Sequence, residues 1–238
     1  MSAGTSSDNR IHPTAFIGPG VTLGTGNVIG PFAVLLGPLV IGDDNWIGPH
    51  ACLGTPGEIK GNEHGAAWDA PNEGPGIVIG SRNTLREYVA VHQGSHNPTT
   101  IGDDCFIMNK SSIPHDARLE NHVTMAPSVL IGGHVWVGEG ATLGINTVVH
   151  QRRVIGPGAM IGMGSVATRD VPPYAMAFGN PTRVRGVNKV GMSRRGVAPD
   201  AVQELAELYA KEDFEPQELP EALTAAFTWF RETLATER

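Results

Sequence analysis

The chain has 238 residues, 40% of them apolar, with a formal charge of −7 at pH 7. An acidic balance argues against general affinity for nucleic acid, and no apolar run approaches the length of a membrane helix. Two distant cysteines, Cys52 and Cys105, build neither a disulfide framework nor a zinc motif.

In chain order, residues 1–10 (MSAGTSSDNR) form a polar tail without the apolar stretch of a signal peptide, so a cytoplasmic protein is expected. From Ile11 the chain counts in sixes. Apolar residues open successive hexads at Ile11, Ile17, Leu23, Ile29, Leu35, Ile41, Ile47 and Leu53, then at Ile79, Leu85 and Val91. Residues 101–172 read as twelve hexads with no slip, with Ile, Leu, Val or Met at the first position in eleven of them. Glycine is frequent at the second position, and the fifth is small or β-branched. A six-residue unit with one obligate apolar position is a short strand and a corner; it cannot bury a core alone and must stack on its neighbours. The 31 glycines and 18 prolines are then corner residues, not a sign of disorder.

Two stretches break the count. The long one spans 55–76 and is polar and glycine-rich; the short one, at 93–100, adds four residues. A regular solenoid expels insertions as loops, often on its binding face. After about residue 186 the hexads stop. Val202, Leu205, Leu208 and Tyr209 lie at helical spacing with Asp200 as a candidate N-cap, and Leu223, Ala226, Phe227, Phe230 and Leu234 repeat the pattern. The expected organisation is a mainly β fold over 11–186 and a small helical C-terminal subdomain over 187–238.

In the hexapeptide-repeat family, which these hexads resemble, a coil takes three hexads, so residues 18 apart would stack. His92, His115, His134 and His150 then line one face in four successive coils, and His122 points elsewhere. Histidine as a residue type suits general base work. No HxxxxH pair occurs, and no metal is expected. Eight of the 17 basic residues fall between Arg152 and Arg195, where Asp170 alone is acidic, which suggests a local anionic partner. Arg153 is anomalous, because it takes a fifth position that normally faces inward, and an unpaired guanidinium is costly there.

The hexads resemble the hexapeptide-repeat family, whose fold is a left-handed parallel β-helix; general crossover rules would favour the right hand. The pieces "HPTAFIGPGVTLG", "GEIK", "IGSRNTLREYVAVHQG", "IPHDA", "GGHVWVG", "VVHQ", "DVPPYAMAFGN" and "GVNKVGMSRRGV" resemble, in order and spacing, the acyl-carrier-protein-dependent UDP-N-acetylglucosamine O-acyltransferases of lipid A biosynthesis. The resemblance implies His115 as general base, Asp116 as its orienting carboxylate and the Gly133 N–H as oxyanion donor. It implies substrate contacts for Glu58, Lys60, His92, Ser112, His134, His150, Gln151, Asn188, Arg194 and Arg195. Met163 would shorten the acyl pocket; filling the core is its alternative role. No cofactor is implied beyond the acyl donor, on acyl carrier protein or coenzyme A. A homotrimer with active sites between subunits is also implied. Ser112, Lys110 and Val190 depart from the family pattern, where histidine, asparagine and an acid are usual. They keep open an N- or O-acyltransferase acting on a different amino-sugar or nucleotide-sugar acceptor. A non-enzymatic scaffold and a metal-dependent hydratase are the remaining alternatives.

Overall fold

The computed structural model describes residues 8–61, 64–65 and 68–237; most of the expected polar tail, residues 1–7, lies outside them. The hexads wind into a left-handed parallel β-helix of about nine turns. Three sheets form its sides, with ten, eight and seven strands among the described residues, all parallel except the last strand of the ten-stranded sheet. The registers are the 18-residue stack: Val28 pairs with Trp46, Leu130 with Val148 and Trp136 with Val154. Where an insertion intervenes the spacing grows, to 38 for Leu39 and Ile77 and to 22 for Ala90 and Ser112.

First-position residues such as Ile29, Leu35, Ile47, Leu53, Ile107 and Ile161 are buried, and fifth positions such as Ala33, Val89, Val123 and Val135 pack beside them. At about 25 cal/mol per Å² of apolar surface, this ladder is the main stabilising term. Where the fifth position is asparagine the core carries a polar ladder. Asn27 Oδ1 accepts from the Asn45 N–H at 2.9 Å, Asn45 Oδ1 from the Asn83 N–H at 2.9 Å, and Asn83 Oδ1 from the Cys105 N–H at 2.7 Å. The ladder begins at Asn9, whose Oδ1 accepts from the Asn27 N–H at 2.7 Å.

The fourth residue of hexad after hexad is left-handed, including Asp44 (φ 57°), Asp104 (57°), Asp116 (60°), His134 (58°) and Asn146 (56°). Asp, Asn and His tolerate this conformation better than most side chains. The coil corner therefore favours the residue types that chemistry also uses.

The count of six fails after Ala167. Ile155 bridges to Val171 and Ile161 pairs with Ala177, each 16 residues on. The last corner is two residues short, and the Asp170 carboxylate accepts the Val154 N–H at 2.9 Å in place of backbone. The same carboxylate lies 3.5 Å from Arg153. The anomalous arginine is thus paired and partly exposed, beside the shortened corner.

An antiparallel hairpin, Ala175–Phe178 with Arg183–Val187, closes the helix; the hexad count gave no sign of it. Three α-helices follow: α1 (Lys189–Arg194), α2 (Pro199–Ala210) and α3 (Glu221–Glu237). Asp200 is not the N-cap of α2. Ala198 holds that place, Pro199 opens the helix and Asp200 sits in the first turn. Proline suits the first helical position, where no N–H is needed, and the acid suits the positive end of the helix dipole. Met192, Leu205, Tyr209, Leu223 and Phe227 join the core of the coil. No helix among the described residues is long and apolar enough to cross a membrane.

Candidate active site

The site lies along one edge of the prism, the corner between the second and third sheets. His115 and Asp116 form that corner in the coil that carries Ser112–Ile113. The Asp116 carboxylate is nearly inaccessible, with 1% of the side chain exposed. Its Oδ2 accepts from the Ser95 hydroxyl at 2.6 Å, the Ser95 N–H at 3.0 Å and His115 Nδ1 at 2.9 Å. Its Oδ1 accepts the N–H groups of His96 at 2.8 Å and Asn97 at 2.7 Å. All these donors except His115 come from the four-residue insertion, which wraps the carboxylate in a nest of N–H groups. Burial alone would push the Asp116 pKa up. The Ser95 hydroxyl and the N–H groups of Asn97, His96 and Ser95 outweigh it and hold the group well below the usual carboxylate range.

A carboxylate can only accept, so His115 Nδ1 carries the hydrogen and Nε2 keeps a lone pair for a proton. The His115 side chain is 16% exposed. Its ring lies over Gly133 in the next coil, where an added methyl group would stand 2.5 Å from Cε1 and 2.6 Å from Nε2. Gly133 is glycine because of this close approach. Among the described residues its N–H takes no part in the backbone ladder, whereas those of Gly132 and His134 do.

The four histidines share this edge but do not form a column. His134 stacks on Asp116, not on His115: its Nε2 is 3.9 Å from Asp116 Oδ2, and its ring meets the His115 ring edge-on at 5.2 Å. His92 turns toward the long loop, with Nδ1 3.0 Å from the Thr55 hydroxyl and Nε2 3.5 Å from Glu58. Gly57 of that loop rests against the His115 side chain. His150 is exposed, with Nδ1 3.1 Å from the Gln151 carbonyl, and Gln151 and Lys60 are also exposed. Ser112 sits on the second sheet between Ala90 and Leu130, its side chain part-buried.

The remaining predicted residues lie elsewhere. Arg195 lies at the corner between the third and first sheets, across the third sheet from His115. Its guanidinium donates to the Glu139 carbonyl at 3.3 Å and fills the space over Gly140, where a side chain would coincide with it. Asn188 is the N-cap of α1: its Oδ1 accepts from the Gly191 N–H at 3.0 Å and its Nδ2 donates to the Gly158 carbonyl at 3.0 Å. Both ends of its amide are used internally, so its direct effect is to orient α1, whose last turn carries Arg194. Met163 is 74% exposed, which rules out core filling. With Ile145 (45% exposed) it makes an apolar strip at the corner between the first and second sheets. His122 lines a groove of about 690 Å³ beside α3, away from the His115 edge.

Sequence reading missed Ser95, His96 and Asn97, the residues that hold Asp116. The only signal for them was the four-residue break in the count.

A stack of hexads with this pair on one edge defines the class of protein: a hexapeptide-repeat β-helix. A model of bacterial transferase hexapeptide repeats matches residues 98–133, and a model described as "Udp N-acetylglucosamine O-acyltransferase; Domain 2" matches 170–235. The particular likeness is to the UDP-N-acetylglucosamine O-acyltransferases, so the resemblance read in the sequence is borne out. An acyl-[acyl-carrier-protein]–UDP-N-acetylglucosamine O-acyltransferase of Burkholderia thailandensis is 40% identical over 136 residues, covering 56% of this chain and 52% of that protein. The chain thus spans about half the length of the curated relatives it matches. The solved UDP-N-acetylglucosamine acyltransferase from Campylobacter jejuni superposes with a TM-score of 0.74 at 27% identity, covering 95% of this chain and 96% of that one. LpxA from Acinetobacter baumannii gives 0.70 at 28% identity, with 98% and 95% covered.

Proposed function

We propose that the chain is an acyltransferase that moves a (3-hydroxy)acyl group from an acyl-carrier-protein thioester to the sugar hydroxyl of UDP-N-acetylglucosamine, in the cytoplasm, as a step toward lipid A. The observation that carries this reading is the His115–Asp116 pair, held at 2.9 Å beneath Gly133. His115 Nε2 takes the proton of the acceptor hydroxyl as that oxygen attacks the thioester carbonyl. Asp116 fixes the ring and stabilises the imidazolium. The Gly133 N–H faces the oxyanion of the tetrahedral intermediate. Collapse expels the thiolate, which takes the proton back from the imidazolium. A thioester is already activated, so a base and an oxyanion donor suffice.

The nucleotide sugar needs cations. Arg194 and Arg195 lie across the third sheet from His115, which supports a homotrimer in which one copy gives His115 and its neighbour gives the arginines to each site. The exposed strip of Ile145 and Met163 would then be covered by a partner and line the acyl channel. Glu58 and Lys60 of the long loop, with His134, His150 and Gln151, would contact the substrates along the same edge.

The test is turnover. The purified protein is incubated with UDP-N-acetylglucosamine or the corresponding amino-sugar nucleotide, together with acyl carrier protein or coenzyme A thioesters of graded length. An O-acylated UDP-N-acetylglucosamine is expected, with a rate about 10² to 10⁴ lower in His115→Ala. Met163→Gly is expected to shift the preference to longer chains. Acylation of the amino sugar alone would overturn the acceptor assignment, and an unchanged rate in His115→Ala would overturn the mechanism.

A further inference from the structure

His96 belongs to none of the motifs above; its backbone N–H helps to hold Asp116, but its imidazole, with Nδ1 2.8 Å from the Ser95 hydroxyl oxygen, has no role in the proposed transfer. One donor atom each from His96, Asp116 and His134 lies within 4.8 Å of the others. We propose that these three side chains bind a divalent transition-metal ion, Zn²⁺ or Co²⁺ in particular, and that its binding switches the enzyme off. The inhibitory half rests on the reading of His115 and Asp116 above; the binding half does not.

Donor chemistry sets the class of ion. Two imidazole nitrogens and one carboxylate oxygen suit zinc and its neighbours, whereas magnesium and calcium favour oxygen alone. Three protein ligands with water in the fourth place is a familiar open zinc arrangement. In a tetrahedron with bonds near 2.05 Å the ligand atoms stand about 3.4 Å apart. His134 Nε2 and Asp116 Oδ2, at 3.9 Å, are already close to that edge. His96 has further to come. It is exposed, on the 93–100 loop, its ring centroid 6.1 Å from that of His134, and ligation would exchange its Nδ1 contact with the Ser95 hydroxyl, 2.8 Å, for the metal.

The two carboxylate oxygens of Asp116 have separate duties. Oδ1 is anchored by the backbone of His96 and Asn97. Oδ2 faces His134 and accepts from His115 Nδ1 as well as from the Ser95 hydroxyl and N–H. A cation on Oδ2 competes for the oxygen that orients the base, while Oδ1 keeps the carboxylate in place. The imidazole then loses its fixed tautomer and direction.

Titration calorimetry of the full chain with zinc chloride, in a buffer that does not chelate, reads binding. Visible absorption of added Co²⁺ reads tetrahedral coordination. One ion per chain is expected, with affinity at least tenfold weaker in His96→Ala. That variant keeps the backbone N–H that holds Oδ1, and its half-inhibitory zinc concentration, read against its own metal-free rate, is expected to be raised at least tenfold. Absence of stoichiometric binding, or equal affinity in His96→Ala, would overturn the site. Binding without loss of turnover would overturn the switch. His96-dependent Co²⁺ binding by a protein that acylates no substrate would uphold the site and sink the functional reading instead.

Discussion

Gly133 shows how one missing methyl group shapes the site. The His115 ring occupies the space a side chain would take. Gly133→Ala is expected to leave the coil folded, by circular dichroism, and to lower turnover about a hundredfold, the size of effect that follows displacement of a reacting group by about 1 Å. Wild-type turnover in that variant would mean that the ring position is not critical. Asp116 makes a separate prediction for stability. Its folded-state pKa lies below the ordinary carboxyl value near 3.9. Its contribution is therefore fully present above about pH 4 and lost as pH falls through the folded-state value. Asp116→Asn, which sets an NH₂ against N–H donors, is expected to cost about 1–3 kcal/mol at neutral pH. The gap from wild type should narrow steadily below about pH 4 in urea titrations; a gap independent of pH would refute it. His115 and Asp116 were legible in the sequence because the family motif "IPHDA" carries them. Their support was not: Ser95, His96 and Asn97 act mainly through backbone N–H groups, which leave little mark on residue type.

The strands were legible as elements, since a two-residue strand and a left-handed corner demand an apolar residue every sixth place and leave little latitude elsewhere. The closing hairpin was not, because Asp170 replaces a backbone acceptor and cuts two residues from the last corner. After that slip the hexad template no longer applies. The α2 and α3 patterns were visible in their apolar spacing, whereas α1 is only six residues long and is held largely by Asn188. The Tyr209 hydroxyl, on α2, donates to the Pro173 carbonyl at 2.6 Å and ties the helix to the last coil. Tyr209→Phe leaves that carbonyl buried without its donor. It should lower stability by about 1–2 kcal/mol, read from the urea midpoint at fixed protein concentration. An unchanged midpoint would show that α2 docks through its apolar face alone.

At the scale of the molecule, the residues that the family likeness assigns to one site lie on two edges of the prism, His115 on one and Arg195 on the other. Sequence alone could suggest their partnership but not this separation, which depends on how three hexads divide a coil. The predicted consequence is complementation. His115→Ala and Arg195→Ala should each be nearly inactive alone. Mixed and refolded so that the proposed trimer assembles at random, they should regain about a quarter of wild-type activity, because half the chains would supply an intact His115 and half of their neighbours an intact Arg195. No recovery on mixing would place both residues of a working site in the same chain. The pitch of the coil has a metric consequence as well. Successive coils rise by about 4.8 Å, so the 48 residues from His115 to Met163 set the two about 13 Å apart along the axis. Any whole-coil insertion or deletion between them changes that gauge by a fixed increment and leaves both edges in phase. Under the proposed function, a solenoid built this way would measure its acyl chain in discrete marks, and a new chain length would be reachable by adding or removing a coil without rebuilding the site.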